Sequence, residues 1–176
     1  MDRILVVVDY QNDFVDGALG FGGAEKLDAG IAAKVREYGA GKVFFTRDTH
    51  TENYLNTREG RNLPVLHCVK GTHGWEVYGE TKKALEEVGA VGFDKEAFAM
   101  FITPEINALL PDEVETVELV GLMSNICVLS STVVFQCRYP QAQMIVDASL
   151  TGSFDPVINE KCLDVMESFQ VKVINR

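Results

Sequence analysis

Apolar positions along this chain follow two alternating rhythms. Short unbroken runs rich in β-branched residues, of which "ILVVV" at 4–8 is the cleanest, are followed by longer stretches with apolar residues at helical spacing. The runs predict strands at 4–8, 43–46, 90–93, 116–120, 143–146 and 171–174. The helical spacing predicts helices at 24–38, 78–88, 103–109, 125–136 and 156–169. Strand–helix alternation suits parallel neighbours joined by crossovers, and unbroken apolar runs suit strands buried on both faces. The expected fold is therefore α/β: a Rossmann-like, three-layer α/β/α arrangement whose mostly parallel six-stranded sheet carries helices on both faces. Residues 47–76 break the rhythm, being rich in Thr, Asn, Gly, His and charge without a clear period. Long irregular segments in a compact domain usually serve function.

Composition narrows the classes of partner. A chain of 176 residues that is 47% hydrophobic fills one good core, so a single domain over 1–176 is expected. The formal net charge of -10, with scattered lysines and arginines, argues against nucleic acid and anionic membrane as partners. The uncharged span 119–137 approaches membrane-spanning length, but Gly121, Ser124, Asn125, Ser130, Ser131, Thr132 and Gln136 make it too polar for lipid. It reads as a buried strand and a buried helix. The apolar run at 4–8 meets acidic residues with no cleavage pattern behind it, so it reads as a strand and not a signal peptide. Cytoplasmic location and free thiols at Cys68, Cys127, Cys137 and Cys162 are the matching expectations.

In an open parallel sheet, ligands bind beyond the carboxyl ends of the strands. There the sequence places Asp9, then Asp48 and His50, then Asp94 and Lys95, then the turn from Met123 to Cys127. Each has an ordinary reading: Asp9 as a turn cap, Lys95 as a solvated loop residue, Cys127 as a small buried hydrophobe. Their coincidence at one sheet edge marks a site. Cys127 falls about three residues into a helix, where Ser124 or Asn125 can cap, and the free amides and dipole there favour a thiolate and could hold an oxyanion. Cys137 and Cys162 have no such setting and are expected in the core. Asp48 and His50, with Glu59 and His67 further along the irregular segment, offer donors that suit zinc, iron or manganese. His73, in a Gly-rich turn, receives no role.

The pieces "DYQNDF", "RDTH", "LPVLHCVKGTHGWE", "DKEAF" and "GLMSNICV" occur in that order over most of the chain. In this combination the chain resembles the nicotinamidase/pyrazinamidase branch of the isochorismatase-like cysteine hydrolases. The resemblance implies a catalytic triad of Asp9, Lys95 and Cys127, and one divalent metal held by Asp48, His50 and His67, with Glu59 joining in some members. Zinc is the first expectation for that metal, with iron and manganese as alternatives. It also implies a cis Leu122-Met123 peptide, with the Met123 and Cys127 amides as oxyanion hole. The implied reaction converts nicotinamide and water to nicotinate and ammonia through a Cys127 thioester. Phe14, Leu19 and Phe98 stand near motif positions that could sandwich a flat ring, although core packing serves each equally well. A homo-oligomer is compatible with the resemblance, though no residue marks an interface.

Two positions depart from the family pattern. Thr49 stands where Trp is frequent, and Asn125 where Asp is frequent. The first reshapes the pocket wall; the second bears on substrate identity more than on chemistry. The main rival is a related amidase acting on another small carboxamide or an N-carbamoyl or ureido compound, in branches that keep the triad but generally lack the metal motif. A non-catalytic metal-binding protein with an inert Cys127 is a further alternative. A thiol–disulfide oxidoreductase is disfavoured because there is no C-x-x-C pair.

Overall fold

The computed structural model describes residues 3–176, so Met1 and Asp2 lie outside the described residues. Six strands, β1 (Arg3–Val8), β2 (Val43–Asp48), β3 (Val91–Lys95), β4 (Thr116–Leu122), β5 (Gln143–Gly152) and β6 (Lys172–Ile174), form one sheet in the order β3-β2-β1-β4-β5-β6. Every neighbouring pair is parallel. The order reverses between β1 and β4, and at such a switch point two loops leave in opposite directions and open a crevice.

Alternation along β1 divides the core. Leu5 and Val7 pack with Ile31 and Val35 of α2 (Asp28–Tyr38) and with Leu85 of α4 (Gly79–Glu87), while Ile4, Val6 and Val8 face α6 (Leu129–Arg138) and α7 (Pro156–Ser168). The expected three layers follow from this two-sided burial. The short helices α1 (Asn12–Val15), α3 (Arg58–Asn62) and α5 (Pro104–Asn107) decorate the loops. Among the described residues no helix is long and apolar enough to cross a membrane.

Departures from the expected boundaries have local causes. Residues 24–27 form a tighter 3-10 turn before α2 begins at Asp28. The helix expected over 103–109 shrinks to α5, where Thr103 caps the Ile106 amide and Pro104 opens the turn. Strand β5 runs past the expected end at Val146, because an irregularity in its pairing with β4 absorbs the polar Asp147 before Thr151 pairs with Gly121. The irregular segment 47–76 contains α3 and two 3-10 turns, Tyr54–Asn56 and His73–Trp75. Cys162 is buried as expected, whereas Cys137 is exposed because its position on α6 faces away from the sheet.

At the switch point, Gly121 sits opposite Val8 with φ +108, and a Cβ there would lie 2.1 Å from the Val8 carbonyl oxygen. Only glycine lets β4 run this close to β1 before the two loops diverge.

Candidate active site

Strand register alone sets three of the polar residues side by side. Val8 pairs with Thr46, and two residues further on Asp48 pairs with Lys95. Asp9, the first residue past β1, turns with φ +45 and points its carboxylate back, where Thr46 Oγ1 donates to Oδ1 at 2.6 Å. Lys95 Nζ lies 2.6 Å from Asp9 Oδ2 and 3.3 Å from Asp48 Oδ1, and donates to the Ala97 carbonyl at 2.9 Å. From the other side of the crevice, Cys127 Sγ comes within 3.7 Å of Lys95 Nζ. The side chains of Asp9, Thr46, Asp48, Lys95 and Cys127 are all buried. The Leu122-Met123 peptide is cis, as the resemblance implies.

The turn that presents Cys127 is not the capped helix start expected from sequence. Residues Ser124–Val128 form a π turn in which Val128 N–H reaches back to the Met123 carbonyl at 3.1 Å. Neither Ser124 nor Asn125 caps it; Ser124 Oγ bonds the Asn159 side chain at 2.6 Å instead. The expected thiolate is likewise corrected. Burial, reinforced by the Asp9 charge, pushes the Cys127 thiol well above its ordinary value despite the opposing pull of Lys95. Burial and the Asp48 charge also raise the Asp9 carboxyl against Lys95. For Lys95 burial pulls down, but Asp9, Cys127 and Asp48 together outweigh it and hold the ammonium charged. The resting arrangement is a thiol beside a carboxylate of heightened basicity, with a permanent cation between them.

Asp48 faces a second cluster through its other oxygen. Asp48, His50, Glu59 and His67 each offer one donor atom, and these atoms all lie within 4.8 Å of one another. His67 Nδ1 lies 2.8 Å from the Val65 carbonyl, which can only accept, so Nδ1 carries the proton and Nε2 keeps its lone pair toward the cluster. His50 Nε2 lies 2.8 Å from Asp48 Oδ2 yet is buried without a hydrogen-bond partner. Lone pairs converging on one point, with one of them orphaned, are the arrangement a cation satisfies. Two imidazoles and two carboxylates fit a borderline divalent ion. Burial opposes ionisation of Asp48, but His50 and His67, when the nitrogens facing it carry protons, and the Lys95 charge hold its carboxyl well below the usual range; a bound cation would take the place of those protons and keep Asp48 an anionic donor.

Phe14, Leu19, Phe98 and Cys127 line one small cavity of about 120 Å³, together with Met123 and His67. Ligand pockets for larger molecules run to roughly 300–1,000 Å³, so this one suits a single ring. Sequence reasoning missed Leu63, Ile126 and Phe154 on its wall, and Thr46 and the Ala97 carbonyl behind it. Phe154 was out of reach because the strand leading to it was expected to stop at Val146. Thr49, the position where the family often has Trp, is buried and accepts a hydrogen bond from Trp75 Nε1 at 2.8 Å. Asp94 turns outward to Arg47 and Lys70, away from the cavity.

With this geometry in view, comparison with known proteins is specific. The curated nicotinamidase/pyrazinamidase of Mycobacterium tuberculosis is 26% identical over 186 residues, covering 98% of each chain. The crystal structure of a nicotinamidase from Bacillus subtilis shares the fold with a TM-score of 0.84 at 24% identity, over 98% of this chain and 99% of that one. A Pyrococcus horikoshii pyrazinamidase crystallised in complex with zinc shares it with a TM-score of 0.82 at 24% identity, over the whole of both chains. The isochorismatase domain, as a family, matches residues 3–176, from the first described strand to the last residue. The chain belongs to the isochorismatase domain family.

Proposed function

We propose that this chain is one metal-containing cysteine hydrolase domain that converts nicotinamide and water to nicotinate and ammonia. The observation that carries the reading is the convergence of Asp9, Lys95 and Cys127 at the base of a ring-sized cavity whose wall includes the Asp48 and His67 donors. The relatives named above add the substrate class.

Asp9 takes the proton of the Cys127 thiol as sulfur attacks the carboxamide carbon, a role its raised basicity favours. Lys95, held charged, stabilises the thiolate as it forms. The backbone amides of Met123 and Cys127 receive the negative charge of the tetrahedral oxygen, an interaction typically worth about 3 kcal/mol per donor. Asp9 then gives its proton to the leaving nitrogen, the C–N bond breaks, and ammonia departs, leaving a thioester on Cys127. Water adds to the thioester carbon as Asp9 takes one of its protons; the C–S bond then breaks and the proton returns to sulfur, releasing the acid. Phe14 and Phe98 hold the ring between them. A divalent ion, zinc first on the donor set, would be held by Asp48, His50, Glu59 and His67 and would supply a Lewis-acid anchor for the ring nitrogen, orienting the amide toward Cys127.

The direct test adds hydroxylamine during turnover of nicotinamide. A Cys127 thioester would be intercepted as nicotinohydroxamate at the expense of nicotinate, whereas ammonia released with nicotinate alone, at any hydroxylamine concentration, would sink the covalent route.

A further inference from the structure

The turn after β1 carries two side chains that the proposed chemistry does not use. Gln11 is fully buried, and both of its amide hydrogens are committed: Nε2 donates to the Asp48 carbonyl at 2.9 Å and to the Trp75 carbonyl at 2.9 Å. Its Oε1 accepts from the Asp48 backbone N–H at 2.8 Å. This pattern fixes the amide orientation, because a flipped Gln11 would set an oxygen against two carbonyl oxygens.

The reason lies in the sheet. Strand β1 pairs with β2 only as far as Val8 and Thr46, since the chain turns away at Asp9. The backbone N–H and C=O of Asp48, on the side of β2 that β1 has vacated, would then be buried and unpaired. Gln11 folds back and replaces the missing strand with a side chain.

Asp13 does the same for the neighbouring loop. Its Oδ2 accepts from the Cys68 backbone N–H at 2.7 Å and its Oδ1 from the Ala18 N–H at 3.2 Å. Cys68, held in a left-handed conformation with φ +46, passes the constraint on: its carbonyl accepts the His50 N–H at 2.9 Å, and its chain neighbour is His67. The room for Asp13 depends on Gly74, where a Cβ would lie 2.1 Å from Oδ2.

We propose that Gln11 and Asp13 are positioning residues that set three of the four metal donors, Asp48, His50 and His67, against the turn carrying Asp9. Metal cluster and triad are thereby built as one unit: a shift of the turn moves both. This rests on the metal reading above. Their contribution is to orient donors, and changes to partners that orient metal ligands typically weaken binding about 10–100-fold.

The test titrates Co²⁺ and Zn²⁺ into metal-stripped full-length protein and follows the Co²⁺ ligand-field bands. Gln11→Met keeps the side chain's length and removes all three hydrogen bonds; Asp13→Asn keeps one acceptor and decides the matter should Gln11→Met not fold. The expected result is cobalt binding weakened about 10–100-fold with altered bands, in protein whose far-ultraviolet dichroism and cooperative melt report a native fold. Tyr38→Phe is the control: it breaks the 2.6 Å hydrogen bond from Tyr38 to Glu118 far from the cluster, so it should lower the melting temperature and leave cobalt affinity unchanged. Wild-type affinity and unaltered bands in a folded Gln11 or Asp13 variant would overturn the inference while leaving the proposed function standing. A wild-type chain that binds no cobalt or zinc would overturn the metal reading itself.

Discussion

Lys95 Nζ lies 2.6 Å from Asp9 Oδ2, with side-chain exposures of 1% and 0%. Asp48 is a second buried carboxylate 3.3 Å from the same ammonium. Lys95→Met would leave two buried carboxylates without their cation. Removing one partner of a buried pair typically costs about 3–5 kcal/mol. Chemical denaturation of the variant should show a loss of that size together with loss of turnover. A variant with native stability would mean that the ammonium does not neutralise the site.

The pH profile follows from the same contacts. Asp9 must be ionised to act as base, and burial with the Asp48 charge raises it above the ordinary carboxylate value of about 3.9. Activity, measured as kcat/KM, should therefore fall as pH drops through a value above that of an ordinary aspartate. On the alkaline side, Cys127 and Lys95 both hold their protons above their ordinary values of about 8.5 and 10.4, so no loss is expected as pH rises through 8.5. Stability divides between the two carboxylates. The raised Asp9 contributes stability below its unfolded value that is lost as pH rises through its folded one; the depressed Asp48 contributes above its unfolded value and loses it as pH falls. An acid limb at the position of an ordinary aspartate would count against Asp9 as the base.

Metal content should track the imidazoles. His50→Ala and His67→Ala each remove one of four donors whose atoms lie within 4.8 Å of one another, and elemental analysis after dialysis should show substoichiometric metal in both. Unchanged stoichiometry would remove these residues from the ligand set.

Phe98 forms part of the cavity wall although it is 44% exposed. Phe98→Ala should raise KM for nicotinamide about fivefold, from roughly 1 kcal/mol of lost apolar contact, with little change in kcat. An unchanged KM would place the ring elsewhere.

Much of this was legible in the chain, for physical reasons. Short uninterrupted runs rich in β-branched residues, such as 4–8, read as strands buried on both faces, and residues just past such strands gather at one edge of a parallel sheet. That reasoning found Asp9, Asp48 and Lys95. It failed where neighbours in space decide the outcome. Ser124 looks like a cap, but Asn159 of α7 claims its hydroxyl. Cys127 looks like a dipole-stabilised thiolate, but depth of burial and Asp9 keep it protonated. Gln11 lies inside the "DYQNDF" motif, but its role gave no signal, because its partners at Asp48 and Trp75 are distant in sequence. Polar Asp147 looked like the end of a strand that continues to Gly152 and delivers Phe154 to the cavity.

The central claim, that Cys127 is the nucleophile of an amidase, is tested most directly by counting ammonia and nicotinate released from nicotinamide by the wild-type, Cys127→Ala and Cys137→Ser proteins. The expected result is equal ammonia and nicotinate from the wild type and from Cys137→Ser, whose exposed thiol lies outside the cavity, with loss on the order of 10⁶-fold in Cys127→Ala. Turnover retained by folded Cys127→Ala, or no ammonia from the metal-loaded wild type, would contradict it.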